Sequence, residues 1–229
     1  MPDLSVIIPV YNEKGTVVEI VNRVAAVPIS KEIILVDDGS HDGTRELIRE
    51  HFKNRPDVRV ILHDKNRGKG GAIRTGIREA SGEWAVIQDA DLEYDPADYL
   101  KLFQAAVREN VRVVYGSRFL SGARVTSFWH RFVNGFLTGL TNALFGSRLT
   151  DMETCYKFFR VPFLKNLALE RDGFEMEVEL TARTLQKKER IAEVPISYQG
   201  RSFHEGKKIG WKDGFKAVYF LFWYRFFYK

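Results

Sequence analysis

Three carboxylates stand two residues apart at Asp89, Asp91 and Glu93, directly after an apolar run that is typical of a buried strand. Clustered carboxylates at a strand end repel one another. A hard divalent cation such as Mg²⁺ or Mn²⁺ relieves that repulsion and can hold a diphosphate at the same time. An isolated Asp-x-Asp is more often an acidic turn that caps a helix. Because this one follows a strand pattern and precedes a helix that Pro96 begins, we favour a metal site.

Two further polar clusters follow strand patterns, at Pro9–Glu13 and at Val36–Ser40. Tyr11 could stack on a nucleobase, and the carboxylate of Asp38 can accept a hydrogen bond from a uracil or guanine N–H. Either cluster alone could be a turn, since Gly39 suits a positive φ. Their occurrence at two adjacent strand ends favours a nucleotide site.

The loop Arg67–Gly71 offers a cation and glycine backbone N–H groups at the start of a helix pattern. This combination suits a phosphate group. A flexible surface turn is an equally good interpretation of the loop taken alone.

Strand and helix patterns alternate through the first half of the chain. Apolar runs predict strands over Leu4–Val10, Glu32–Asp38, Val58–His63, Trp84–Asp91 and Val111–Arg118. Helical patterns lie between them, over Thr16–Ala26, Thr44–Lys53, Gly70–Ala80 and Ala97–Glu109, with Asp42 placed as a cap. This alternation predicts an α/β fold with a largely parallel sheet and helices on both faces. In such sheets ligands bind at the carboxyl ends of the strands, where the polar clusters stand.

The second half of the chain is richer in aromatic residues. A wide apolar stripe predicts a helix over Phe128–Phe145, and further patterns predict a helix over Phe174–Lys188 and a strand over Ile191–Ser197. Asp213–Lys229 contains nine aromatic residues together with Lys216, Arg225 and Lys229. This tail is too short and too charged to span a bilayer but suits its interface. Docking on the protein's own core or on a dimer partner is the alternative.

The composition is that of an ordinary globular protein. The chain has 229 residues, enough for one domain with a short appendage, and 45% of them are hydrophobic. The formal net charge of +5 suits phosphates, nucleic acid or an anionic membrane. Cys155 is the single cysteine, which allows no internal disulfide and suits a reducing compartment. The sequence predicts neither a secretory signal nor a membrane span.

Several classes of protein fit the sequence less well. A dehydrogenase would need a Gly-x-Gly-x-x-Gly turn after a strand, and the chain has none. A sugar-nucleotidyltransferase generally has a Gly-rich basic loop after its first strand, where this chain has PVYNEKG. A non-catalytic adaptor for membranes or nucleic acid would explain the charge and the aromatic residues, but not acids at several strand ends.

The runs SVIIPVYNE, ILVDDGSHDGT, NRGKGGAIRTGI, QDADLEYDP and YGSRF together resemble the family-2 glycosyltransferases of GT-A fold. Within that family, the chain is most similar to the dolichol- or polyprenol-phosphate sugar synthases. The resemblance covers essentially the whole chain. It implies that Asp89 and Asp91 hold Mg²⁺ or Mn²⁺, with Glu93 at a third position where relatives often have Gln. The donor nucleotide and its phosphates are expected to contact Pro9, Tyr11, Glu13, Asp38, Gly68, Lys69, Asp89 and Ala90.

Three further motifs match the lipid-phosphate branch. Tyr115–Phe119 resembles an element whose Arg, here Arg118, lies at the reacting phosphates. Thr150–Lys157 resembles a turn beside the active site, where we expect Asp151 to orient the sugar or the acceptor. The segment from Arg201 to Lys208 resembles a loop that closes over the diphosphate. Fixed cations there would stabilise the leaving group. The three motifs together imply catalytic roles for Arg118, Asp151, Arg201, Lys207 and Lys208. The alternative for this last segment is a solvated basic loop.

The resemblance implies an inverting transfer of a hexose from a nucleotide sugar, of the GDP-mannose or UDP-glucose type, to a polyprenyl or dolichyl phosphate. A lipid phosphate is already anionic and needs no base to become a nucleophile. The main tasks of the enzyme would then be to position the reactants and to bind the diphosphate through the metal. We expect the acceptor phosphate to contact Arg118, Arg131 and Asn134. Transfer to a non-lipid hydroxyl, for which Asp151 would be the base, and nucleotidyl transfer are the alternatives.

The expected organisation is a GT-A domain over residues 1–210, with an acceptor helix at about 125–146, and an aromatic amphipathic segment over 211–229. We expect a protein held peripherally at the cytoplasmic face of the cell membrane by its aromatic helices and positive charge. Its partners would be the nucleotide sugar, the lipid phosphate and the membrane surface, with no nucleic acid. A second copy of the chain, in a homodimer, is a further alternative partner.

Overall fold

A seven-stranded sheet forms the centre of the computed structural model, which describes residues 2–120, 128–200 and 211–228. The strand order is β3-β2-β1-β4-β6-β5-β7. β6 pairs antiparallel with both of its neighbours, and every other pair is parallel. The strands are β1 (Leu4–Val10), β2 (Lys31–Asp37), β3 (Val58–Leu62), β4 (Trp84–Ile87), β5 (Val113–Ser117), β6 (Lys157–Arg160) and β7 (Ile191–Pro195).

Helices cover both faces of this sheet and extend beyond it. They are α1 (Val17–Ala26), α2 (Thr44–Phe52), α3 (Lys69–Glu79), α4 (Tyr99–Glu109), α5 (Phe128–Phe145), α6 (Val161–Lys165), α7 (Met176–Gln186) and α8 (Trp211–Phe226). The predicted α/β class is confirmed, and each predicted strand and helix is present with ends that shift by up to four residues. The sequence did not predict β6 or α6.

The two faces of the sheet are buried because successive residues of a strand point to opposite sides and nearly all of them here are apolar. In β1, Val6 and Ile8 pack in one core with residues of α1, α2 and α4. Ile7 packs in a second core with residues of α3, α6 and α7. This arrangement explains why the strands are continuous apolar runs rather than alternating ones.

The chain reverses its order of strand addition at β1, because β2 and β3 lie on one side of it and β4 lies on the other. Such a switch point opens a crevice between the carboxyl ends of neighbouring strands. β6 runs the other way, so its first residue, Lys157, lies at the same edge as the carboxyl ends of β4 and β5. The polar clusters of the sequence therefore gather along one edge of the sheet.

A third apolar cluster joins α5, α7 and α8 outside the sheet. Its buried members are Leu137, Leu149, Met152, Val178, Ala217 and Leu221. A polar contact reinforces it, because the buried carboxylate of Glu179 accepts hydrogen bonds from Tyr224 Oη at 2.8 Å and Arg183 Nε at 3.0 Å. One face of the C-terminal helix thus docks on the protein itself, as the alternative interpretation of the tail had it.

The other face of α8 is exposed and is also aromatic, so the expected division into an apolar and a polar face is not confirmed. Phe215, Tyr219, Phe222 and Phe226 recur at intervals of three and four residues and are between 41% and 71% exposed. α5 adds the exposed side chains of Phe132 and Phe136. Among the described residues, no helix combines the length and the apolar character that crossing a bilayer requires.

Candidate active site

The loops that follow β1 and β2 are tied together at the carboxyl edge of the sheet. Asn12, whose φ is 53°, donates its backbone N–H to Ser40 Oγ at 2.9 Å and accepts from the His41 N–H at 3.0 Å. The N–H of Glu13 donates to Thr44 Oγ1 at 3.0 Å. These bonds place Tyr11, which is half-buried, beside His41. The stacking of a nucleobase on Tyr11 stays a prediction.

The two aspartates at the end of β2 have different contacts. Asp37 is buried and pairs with Arg45, whose Nε lies 2.8 Å from Oδ2. Asp38 is also buried, and its Oδ1 lies 2.7 Å from His63 Nδ1 and accepts from the Arg67 N–H at 2.9 Å. Asp38 therefore joins the predicted base site to the predicted phosphate loop.

The phosphate loop leads into α3 at Lys69, and two glycines allow its path. Gly68 has a φ of +84°, and a Cβ there would lie 2.3 Å from the carbonyl oxygen of Asp172. Gly39 has a φ of +77°, and a Cβ there would lie 2.7 Å from the backbone nitrogen of Asn66. Larger residues would push the Gly68 loop away from the segment at Asp172, and the Gly39 loop away from the segment at Asn66.

Lys69 contacts Asp89 rather than open solvent. Its Nζ lies 2.8 Å from Asp89 Oδ1, 3.3 Å from Cys155 Sγ and 3.3 Å from Glu177 Oε1. Burial favours the neutral amine, but Asp89 above all raises the pKa of Lys69 well above its usual value. Burial alone would raise the pKa of Asp89, but the positive charge of Lys69 outweighs this effect and the pKa is lowered. The expected contact of Lys69 with the nucleotide stays a prediction.

Asp91 and Glu93 belong to a tight turn after β4 in which Leu92 has a φ of 66°. The Glu93 N–H donates to Asp91 Oδ1 at 3.1 Å, and Tyr198 Oη donates to Glu93 Oε2 at 2.8 Å. The predicted set of Asp89, Asp91 and Glu93 is thus brought to one turn, but each carboxylate has a different neighbour.

Within residues 2–120, 128–200 and 211–228, no group of three or more His, Cys, Asp or Glu side chains is arranged to hold a metal ion. Asp91 lies half-buried at the strand end, and Asp89 is neutralised by Lys69. These donors fit a cation that is held by one or two carboxylates and completed by phosphate oxygens and water, which is the usual way proteins bind Mg²⁺. They do not fit a cage made of protein ligands alone.

Arg118 and Asp151 form a buried ion pair with two parallel hydrogen bonds. Nε and Nη2 of Arg118 each lie 2.7 Å from a different oxygen of Asp151, and the Arg118 N–H donates to Oδ2 at 3.0 Å. Asp151 is fully buried, and Arg118 is 7% exposed. Both oxygens of Asp151 therefore hold Arg118 in place. The expected contact of Asp151 with the sugar or the acceptor stays a prediction.

Glu153 lies near this pair and near a second buried pair, in which Lys157 Nζ is 2.5 Å from Glu177 Oε2. Among the described residues, Oε1 of Glu153 is buried without a hydrogen-bond partner. Burial raises the pKa of Glu153 to about 7, although the positive charge of Lys157 opposes the rise. A carboxyl group in this range can exchange a proton near neutral pH.

Helix α5 is anchored to the turn that carries Asp151. The Met152 N–H donates to Thr138 Oγ1 at 3.1 Å. Asn134 and Arg131 precede Thr138 by one and two turns of the helix, so the three residues share one side of it. Asn134 is half-buried and Arg131 is exposed, which suits the acceptor role predicted for them. The predicted Arg201, Lys207 and Lys208 lie outside the described residues.

Sequence reasoning missed three residues of this edge, His63, Lys157 and Glu177. His63 directly follows β3, beside the strand that ends at Asp37, and that position was a usable signal. Lys157 and Glu177 carried no such signal, because they meet only through the antiparallel strand β6 and the helix α7.

The sheet is mostly parallel with a switch point, a glycine-containing loop starts α3, and acids follow β4. Together these features define an α/β protein of GT-A type. A family model described as "Glycosyl transferase family 2" matches residues 5–168. The chain therefore belongs to this family.

Similar sequences include the dolichol-phosphate mannosyltransferase of Pyrococcus furiosus, which is 30% identical over 90% of this chain and 59% of its own. The undecaprenyl-phosphate mannosyltransferase of Micrococcus luteus is 29% identical over 89% of this chain and 86% of its own. The resemblance to the polyprenol-phosphate branch is thus confirmed. The chain spans less than two thirds of the length of the Pyrococcus relative.

Among solved structures, glucosyl-3-phosphoglycerate synthase from Mycobacterium tuberculosis in complex with UDP has a TM-score of 0.73 at 18% identity, over 97% of this chain and 80% of its own. A structure of the same synthase with Mn²⁺, UDP and glucosyl-3-phosphoglycerate has a TM-score of 0.70 at 20% identity, over 98% of this chain and 80% of its own. At this level of identity, the similarity confirms the GT-A fold.

The raised pKa of Glu153 generates a pH-dependence of stability that Glu153→Gln should remove. Because the folded state raises this pKa from 4.5 to about 7, it binds the proton more tightly than the unfolded chain. That stabilisation is complete below pH 4.5 and is lost as the pH rises to about 7. Between pH 5 and pH 8 we expect the wild type to lose about 2–3 kcal/mol more unfolding free energy than the variant.

Urea unfolding at the two pH values measures this difference, with Glu50→Gln on the exposed side of α2 as the matched control. Parallel pH profiles for the wild type and Glu153→Gln would show that the burial of this carboxyl group does not raise its pKa.

Proposed function

We propose that this protein transfers a hexose, with inversion, from a nucleoside diphosphate sugar to the phosphate of a polyprenyl or dolichyl lipid. The observation that carries the proposal is the match to two polyprenyl-phosphate mannosyltransferases over about nine tenths of this chain. The geometry of Asp151 supports it, since the carboxylate best placed by sequence to serve as a base has both oxygens bonded to Arg118.

The proposed reaction is a single displacement at the anomeric carbon. An oxygen of the lipid phosphate forms the new bond to that carbon, and the bond from the carbon to the donor diphosphate breaks. The electron pair leaves with the nucleoside diphosphate, and no proton need be removed from the acceptor. The protein's part is to position the two phosphates and to stabilise the charge that the leaving group gains.

Individual residues have distinct tasks in this proposal. Asp38 and Tyr11 bind the base, and the N-terminus of α3 faces the donor phosphates. Asp91 and Asp89 would hold Mg²⁺ or Mn²⁺, which would supply positive charge to neutralise the diphosphate. Arg118, fixed by Asp151, would lie at the reacting phosphates, and we assign Arg201, Lys207 and Lys208 to stabilisation of the leaving group.

A hydroxyl acceptor is the second candidate, and Glu153 is the observation that favours it. A pKa of about 7 lies in the range that suits a general base. Under this alternative, a neutral Gln at position 153 would abolish transfer. Under the lipid-phosphate proposal, the acceptor is already an anion and loses no proton.

We further propose that the protein binds the cytoplasmic surface of the cell membrane through the exposed aromatic residues of α8 and α5. Phe215, Tyr219, Phe222 and Phe226 form one line on α8, and Phe132 lies on the neighbouring helix α5. Large aromatic side chains suit the region between lipid headgroups and acyl chains. The net charge of +5 would add attraction to anionic lipids.

The metal and acceptor assignments are tested by Asp91→Asn in a transfer assay with radiolabelled UDP- and GDP-sugars, Mn²⁺ and undecaprenyl phosphate. We expect the wild type to label the lipid and the variant to be at least about 100-fold slower, because the diphosphate charge is no longer neutralised. Asp64→Asn, on an exposed loop at the same edge, is the matched control and should retain activity. Full activity of Asp91→Asn, or of the wild type in excess EDTA, would contradict the metal role.

The membrane proposal is tested by replacing only exposed side chains, because the deletion of the tail would also remove Leu221 and Tyr224 from the core. We expect the variant Tyr219→Ser/Phe222→Ser/Phe226→Ser to reduce co-flotation with anionic vesicles more than about tenfold. The burial of one such side chain is worth about 1.5–3 kcal/mol.

The matched control is Leu100→Ser/Val107→Ser, which removes exposed apolar side chains from α4. Equal flotation of both variants and the wild type would contradict the proposed surface. A shift from dimer to monomer in the triple variant alone would assign the aromatic line to subunit packing.

A further inference from the structure

His63 connects two loops of the site and lies outside every motif that the function has used so far. It follows β3, and its side chain is 5% exposed. Nδ1 lies 2.7 Å from Asp38 Oδ1, and Nε2 lies 3.0 Å from Thr75 Oγ1 in α3. Thr75 Oγ1 also lies 3.1 Å from the carbonyl oxygen of Gly71. The imidazole is therefore held at both ring nitrogens.

The contact with Asp38 determines which ring nitrogen carries a hydrogen. An ionised carboxylate only accepts hydrogen bonds, so Nδ1 of His63 must be the donor. The Arg67 N–H donates to the same oxygen, Oδ1, at 2.9 Å. Two donors on one oxygen fix the orientation of the carboxylate, and no hydrogen bond joins a described residue to Oδ2 of Asp38.

We propose that His63 is a positioning residue for nucleobase recognition. It holds the Asp38 carboxylate so that Oδ2 accepts the ring N–H of uracil or guanine, while the Arg67 N–H joins the same carboxylate to the loop before α3. The inference rests on the proposed nucleotide-sugar donor and narrows its class to bases that carry a ring N–H. Neutral cytosine and adenine have no ring N–H on the corresponding edge, so a site built around Oδ2 should bind them less well.

The test is calorimetric titration of UDP, GDP, CDP and ADP with Mn²⁺ into the wild type, His63→Asn and His63→Leu. We expect the wild type to bind UDP or GDP at least about tenfold more tightly than CDP and ADP. His63→Leu should lose about tenfold in affinity for the preferred nucleotide and most of its base preference, because Asp38 is no longer oriented.

His63→Asn separates positioning from a general effect on folding. The amide nitrogen of Asn replaces Nδ1 as donor, so base preference should return to within about threefold of the wild type, whereas His63→Gln, whose amide replaces Nε2, should not restore it. In the transfer assay His63→Leu should raise KM for the donor and leave kcat within about threefold. His51→Leu, on the exposed side of α2, is the matched control and should change neither value.

The outcomes distinguish this inference from the proposed function. A wild type that binds none of the four nucleotides contradicts the proposed function and removes the basis of the inference with it. A wild type that prefers one base, together with a His63→Leu variant of unchanged affinity and preference, overturns the role of His63 alone. If His63→Leu does not fold, the Asn and Gln variants decide, and equal base preference in these two also overturns it.

Discussion

Arg118 and Asp151 are buried together, and two parallel hydrogen bonds and a backbone amide satisfy their charges. Loss of one partner from such a pair typically costs about 3–5 kcal/mol, because the other charge is left buried alone. The pair joins the end of β5 to the turn that precedes β6. Through Met152 and Thr138, the same turn positions α5. The cation proposed to lie at the reacting phosphates and the proposed acceptor helix thus depend on one interaction.

The same principle of paired buried charge extends along the edge of the sheet. Lys69 neutralises Asp89, and Lys157 neutralises Glu177, so each acid behind the donor site has its own cation. Asp91 and the loop before α3 lie at the same edge of the sheet, where we propose that a nucleoside diphosphate and its metal bind. Glu153 is the exception, and its raised pKa is the consequence of its burial without a hydrogen-bond partner for Oε1. The two proposed acceptor classes differ in what they require of this residue.

Much of this arrangement could be predicted from the sequence, because continuous apolar runs and helical periods give strand and helix positions directly. The predicted strands that end at Asp38 and Asp91 also located the site, since parallel strands bring their carboxyl ends to one edge. β6 was missed because KFFR is only four residues long and begins with a buried Lys157, whose charge is satisfied by Glu177 from α7. The ion pairs of Lys69 with Asp89 and of Asp151 with Arg118 were also missed, because the two partners of each pair are far apart in the sequence. Such contacts between distant segments carry no local pattern.

In the proposed reaction, an anionic lipid phosphate attacks the donor sugar directly and inverts its anomeric carbon. The most direct measurement is NMR of the product made from a ¹³C-labelled nucleotide sugar, of the type the enzyme accepts, and undecaprenyl phosphate. The account predicts a phosphodiester, seen as coupling between the anomeric ¹³C and the lipid ³¹P, with the anomeric configuration opposite to that of the donor. Retained configuration, or a labelled anomeric carbon without coupling to phosphorus, would contradict it.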